Sequence, residues 1–135
     1  MERLKLKLKD AQKSLATLKE VLKEPYSILV RDATIKRFEY TFDTYWKYLK
    51  EYLKEYLKIK KGITINSPKD CFREIFAQGL CTEEETEKLL EMTDSRNETA
   101  HTYKEEVANK IYSKIKGYAE LMDKVLDKIS AKAKD

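Results

Sequence analysis

Histidine and tryptophan each occur once in the 135 residues, cysteine and proline twice, and glycine three times. Each scarcity excludes something. One histidine and two cysteines, Cys71 and Cys81, give no zinc-finger spacing, and no pair of acids joins the histidine in a metal-site pattern. No metal or cofactor is therefore expected. Three unclustered glycines leave no glycine-rich phosphate loop. The two thiols read as reduced, partly buried cysteines of a cytosolic protein in preference to a disulfide. No apolar stretch reaches the roughly 18 residues of a membrane span. The start, Met1-Glu2-Arg3-Leu4-Lys5, is charged and has no signal core. A soluble, cytoplasmic protein is the expectation.

What is abundant is charge and helix formers. Charged residues make up 39% and hydrophobic ones 41%, with few breakers between them, which points to an all-α chain. The length suggests one domain, 1–135, able to bury a core without staples. A net charge of +4 is modest and by itself implies no nucleic acid.

The apolar periodicity predicts five helices, at about 2–23, 28–59, 68–78, 83–94 and 103–129, three of them long. The first repeats Leu4, Leu8, Ala11, Leu15, Leu18 and Leu22 at steps of four and three, a narrow bundle seam. Its lysine-rich remainder reads as solvated surface. Pro25 ends it. The second has a wider apolar face, from Ile28 and Ile35 through Phe38, Phe42, Tyr45, Trp46, Leu49 and Leu53 to Leu57. Tyr48, Tyr52 and Tyr56 flank that face. They read first as core and rim, with a dimer face or base stacking as alternatives. Lys60-Lys61-Gly62 stops this helix. Ser67-Pro68 caps the third. Thr82 followed by Glu83, Glu84 and Glu85 forms a capping box for the fourth. Thr102-Tyr103-Lys104-Glu105 fits a second box opening the fifth, whose seam runs from Val107 to Ile129. The tail Ala131–Asp135 is expected to fray. Short connections make this an up-and-down bundle.

The sole histidine sits in Arg96-Asn97-Glu98-Thr99-Ala100-His101-Thr102-Tyr103, between an acidic segment and the last helix. Arginine is a fixed, forked cation, histidine trades a proton near neutral pH, and tyrosine carries a hydroxyl able to act as a nucleophile. A lone histidine at a helix junction is more often a capping residue than a catalyst, so spacing alone leaves both roles open. The predicted boundaries put Arg96 at the end of helix four or just past it and fold it back towards His101.

A set of motifs goes further. Arg37-Phe38-Glu39-Tyr40-Thr41-Phe42-Asp43 with Trp46-Lys47 comes first. Ser67-Pro68, Phe72-Arg73-Glu74 and Gly79-Leu80 follow, and Arg96-Asn97 with His101-Thr102-Tyr103 closes the series. In that order they resemble the nucleotidyltransferase substrate-binding subunits of the HEPN superfamily, close to the HepT toxins. The resemblance covers about 35–115. It implies a HEPN-like helical bundle that forms a homodimer and binds a minimal nucleotidyltransferase on a separate chain, within a two-gene toxin–antitoxin module. In the toxin branch Arg-x4-His is the motif of a metal-independent endoribonuclease. Carried over, Arg96 and His101 would be catalytic, Arg96 and Asn97 would contact nucleotide or RNA, and Tyr103 would receive the adenylate that silences the toxin. The segment 87–92 departs from many relatives in lacking a tryptophan.

The chemistry fits RNA self-cleavage, in which the 2′-hydroxyl attacks the adjacent phosphate. His101 could move the proton and Arg96 could hold the phosphate. One histidine cannot be acid and base at one instant, so such a site would span a two-fold interface. The acidic run before the motif would repel RNA unless it faces away or meets a basic partner. Two functions therefore follow from the sequence. One is a subunit that binds a transferase, and the other is an endoribonuclease toxin.

Overall fold

The computed structural model describes residues 2–56, 58 and 64–133, with the side chains of 56 and 133 left aside. Among them there are five α-helices and no strand: α1 (Glu2–Leu22), α2 (Ile28–Glu51), α3 (Pro68–Ala77), α4 (Glu83–Glu98) and α5 (Glu105–Ala133). A π-helical turn, Tyr52–Tyr56, prolongs α2, and a 3-10 turn, Thr99–His101, links α4 to α5. Lys58, at φ 48°, is no longer helical, so the helix ends short of the expected Ile59; Leu57 and the expected stop Lys60-Lys61-Gly62 lie outside the described residues.

The seams predicted from periodicity form the core, except that Ile28, expected on the apolar face of α2, is the first residue of that helix and is 57% exposed. Leu4, Ala11, Leu15, Leu18 and Val21 of α1 are buried, with Leu8 and Leu22 packed at the edge. Ile111, Ile115, Tyr118, Met122, Val125 and Ile129 line the inner face of α5. Tyr48 and Tyr52 are fully buried, so these two residues of the tyrosine stripe belong to the core. Phe38 stacks on Tyr118 at 5.7 Å, and Phe42 meets the edge of Phe72 at 6.0 Å, which ties α2 to α5 and to α3.

Cross-links between helices fix their directions. Arg37 donates to the carbonyl of Thr17 at 2.8 Å and Arg3 pairs with Glu51 at 3.0 Å, so α1 and α2 are antiparallel. Lys114 pairs with Glu91 and Lys128 with Glu85, so α4 and α5 are antiparallel as well. Arg31 reaches Glu105 while Phe38 reaches Tyr118, which makes α2 and α5 parallel.

Caps behave as the sequence indicated at the starts of α3 and α4, and Ser27 supplies a further cap at α2 that was not singled out from the sequence. Ser27 and Ser67 accept from Val30 and Asp70 N–H at 3.0 and 3.1 Å. Thr82 and Glu85 form the reciprocal box, with bonds of 3.0 and 2.9 Å. The second box does not form. The Thr102 hydroxyl donates back to the Thr99 carbonyl at 3.2 Å, and α5 begins at Glu105, not Tyr103. Two further boundaries move. Helix α4 continues to Glu98 because its polar last turn finds partners, and α5 continues to Ala133. Phe76 of α3 is 44% exposed, while Cys71, Phe72 and Ile75 of the same helix are buried. Both cysteines are free and buried; burial pushes the Cys71 thiol up to about 12, and raises that of Cys81.

Candidate functional site

The last turn of α4 carries Arg96. Its guanidinium donates to both carboxylate oxygens of Asp43 on α2, at 3.3 and 3.1 Å, and lies 3.6 Å from Glu39 one turn earlier. A third bond runs to the Thr99 hydroxyl at 3.0 Å, and that hydroxyl donates to the Arg96 carbonyl at 2.6 Å. One residue earlier, the hydroxyls of Ser95 and Tyr118 hydrogen-bond at 2.8 Å across α4 and α5. These links explain why the helix survives four residues beyond the predicted end: each polar side chain of the extra turn that faces inward is satisfied.

From there the chain passes through the 3-10 turn into an exposed connector. Asn97, His101 and Tyr103 all face solvent. The His101 and Tyr103 rings stand edge to face with centroids 6.0 Å apart, and the Lys104 ammonium lies 5.9 Å from the Tyr103 ring centre. Among the described residues no hydrogen bond joins Arg96 to His101. The structure therefore divides the motif: Arg96 is braced against the acids of α2, while His101 and Tyr103 are presented together at the connector.

Tyr103 is 74% exposed. Among the described residues the other exposed tyrosines have occupied hydroxyls: Tyr26 donates to Asn109 at 3.5 Å, and Tyr40 bonds the Thr17 hydroxyl at 2.9 Å. The Tyr103 hydroxyl has no hydrogen-bond partner among the described residues.

The connector is anchored by a residue that was not singled out from the sequence. Arg31 is only 2% exposed, in the first turn of α2. It grips Glu105, two residues beyond Tyr103, through both terminal nitrogens at 2.7 and 3.3 Å. It also donates to Asn109 and Asp32, each at 3.0 Å. The arginine side chain holds the Glu105 carboxyl below its usual range. A signal was present: Arg31 stands four residues before Ile35 and seven before Phe38, on the apolar stripe itself. Periodicity placed it inward, and its charge hid that.

The acidic run proves to be structural in part. Glu85 meets Lys128 at 2.7 Å and Lys124 at 3.7 Å, Glu91 meets Lys114 at 3.2 Å, and Asp94 meets Lys69 at 2.7 Å. Burial opposes ionisation of Glu85. The bonds from Lys128 and the Thr82 N–H outweigh it and hold its carboxyl below the ordinary value. Among the described residues no group of three or more potential ligands could hold a metal ion, and no helix is long and apolar enough to cross a membrane.

The architecture is that of an all-helical HEPN-type bundle, shared with several solved structures. A Shewanella oneidensis HEPN toxin, tri-AMPylated and in complex with MNT antitoxin, matches at a TM-score of 0.74 over 95% of this chain and 96% of its own, with 15% identity. A Haemophilus influenzae protein, described as the substrate-binding domain of a nucleotidyltransferase, matches at 0.66 over 96% and 98%, with 22% identity. A protein of Thermus thermophilus matches at 0.80 over 88% and 98%, with 42% identity. Residues 6–131 match the family described as nucleotidyltransferase substrate binding protein like, and the chain belongs to that family. No curated protein matches the chain in sequence.

Proposed function

We propose that this chain is the substrate-binding member of a two-component nucleotidyltransferase system. It dimerises, docks a minimal nucleotidyltransferase carried on a separate chain, and offers Tyr103 as the acceptor of adenylate. The observation that carries this reading is the state of Tyr103: 74% exposed, with a hydroxyl free of any hydrogen bond among the described residues. In the transfer, the Tyr103 oxygen attacks the α-phosphorus of ATP and a phenolic ester forms. The bond to the β-phosphate oxygen breaks, pyrophosphate leaves, and the phenolic proton passes to solvent or to His101 beside it. The tri-AMPylated state of the Shewanella toxin bound to MNT antitoxin supports the reading, and with it a place in a toxin–antitoxin module. Incubating the purified chain with its partner transferase and ATP tests it. A gain in mass by one or more adenylates is expected. An unchanged mass in a chain that forms the complex would contradict it.

A second reading, a metal-independent endoribonuclease, is favoured by one observation: the His101 ring is exposed and makes no hydrogen bond among the described residues. The 2′-oxygen would attack phosphorus and expel the 5′-oxygen, with His101 of two chains moving the two protons. Arg96 would have to leave Asp43 and Glu39 to take the phosphate, which is why the acceptor reading stands first. RNA cleavage in EDTA, lost in both His101→Ala and Arg96→Ala, would reverse that order.

A further inference from the structure

Charge is unevenly distributed over this bundle. Helix α4 holds seven carboxylates against two cations. Residues 2–13 and 47–58 hold nine cations against four carboxylates, a local net of +5 that exceeds the +4 of the whole chain. These two segments are remote in sequence, but the antiparallel pairing of α1 and α2 makes them one end of the molecule. The Arg3–Glu51 ion pair at 3.0 Å joins them directly, and Lys7 and Lys47 line one shallow crevice with Asp10 and Thr44. Lys5, Lys9 and Lys13 project from α1 at steps of four, about 6 Å apart along the axis. Lys47 projects from α2 and Lys54 from the π-helical turn that prolongs it. All five are exposed, Lys7 is half-buried, and none of the six forms an ion pair among the described residues. By contrast, lysines of α3 and α5 are engaged by the acids of α4.

We propose that this lysine end is a binding surface for the phosphodiester backbone of nucleic acid. It is separate from the connector that carries His101 and Tyr103, which sits at the opposite end of α2, beside Arg31; Arg96 lies nearer, on Asp43 one turn before Lys47. A protein partner is the poorer fit. Protein interfaces are built on an apolar centre and are depleted in lysine. Here Leu6 is the sole exposed large hydrophobic residue among the described residues of these two segments. Unpaired ammonium groups on a rigid helix pair need no apolar centre to neutralise phosphates, and their attraction acts without regard to base sequence. The half-buried Trp46, with the Lys50 ammonium 5.7 Å from its ring centre, lies at the margin and supplies no open stacking platform. Backbone reading is therefore the mode assigned.

The test is binding of a short single-stranded RNA, and of DNA of the same sequence, to the purified full chain across a salt series. Neutralising five phosphates gives a slope near −3.5, so raising salt from about 50 to about 200 mM should weaken binding about 100-fold. A variant with Lys7, Lys9, Lys47 and Lys54 all changed to Gln should lower the slope by about three and bind correspondingly more weakly. Its helical circular dichroism should be unchanged. A control carrying Lys110→Gln and Lys116→Gln, on α5, should bind as the wild type does. RNA and DNA should bind alike within a few-fold. Salt-insensitive binding, absence of binding, or a quadruple variant equal to the control would overturn the proposal. Displacement by polyglutamate as effective as that by unlabelled RNA would assign the surface to an acidic protein instead, and would also overturn it. None of the four lysines belongs to the acceptor machinery, so adenylation of Tyr103 should proceed in the quadruple variant. Failure of either idea is thereby separable from failure of the other.

Discussion

Arg31 carries the heaviest structural duty of any single side chain near the connector. A guanidinium buried at the start of α2 must be matched, and Glu105, Asn109 and Asp32 match it. Because the Glu105 carboxyl titrates below its unfolded value, its contribution to stability is complete above the ordinary carboxylate range and is lost as pH falls through the folded value. Glu105→Gln should therefore be less stable than wild type near neutral pH and show a shallower loss below about pH 5, read by thermal melts across that range. Identical pH profiles would show that the pair contributes nothing. A contrasting expectation holds for Tyr45 and Tyr48, whose hydroxyls are buried without a hydrogen-bond partner among the described residues. Each Tyr→Phe change should raise stability, by about 1 kcal/mol, since it removes an unsatisfied group and keeps the ring. Destabilisation of either variant would mean that the hydroxyl is satisfied by ordered water.

At the scale of elements, α4 and the connector decide what the site can do. The capping box at Thr82 starts the helix, and Thr82→Ala should cost about 1 kcal/mol in urea unfolding. The other end was not legible in the sequence. Apolar periodicity fades after Met92, so Asp94 looked like the boundary. What continues the helix is tertiary: Ser95 to Tyr118, and Arg96 to Asp43, a partner 53 residues away. For the same reason the Thr102 box was misleading. Its residues have the right spacing, but the 3-10 turn uses the Thr102 hydroxyl and delays α5 to Glu105. The seams of α1 and α5, the state of the cysteines and the caps at Ser67 and Thr82 were legible, because each is a local or strictly periodic signal. The bracing of Arg96 by Glu39 and Asp43 was not, although both acids lie within the motif that carried the resemblance.

For the whole molecule, the parallel alignment of α2 and α5 sets the connector at one end and the lysine-rich surface at the other, with the paired acids of α4 along the side. If a transferase reaches Tyr103 as proposed, it approaches the connector end. If the chain dimerises as proposed, its native mass will be twice the 16.0 kDa of one chain, and a monomer across the working concentration range would remove the two-fold site of the ribonuclease reading. The acceptor role is tested most directly by locating the adenylate after reaction with the partner transferase, by peptide mass mapping of the wild type beside Tyr103→Phe. The account predicts adenylate on the peptide containing Tyr103 and none on the Phe variant, with complex formation intact. Adenylate retained by that variant, or found on a different residue of the wild type, would contradict it.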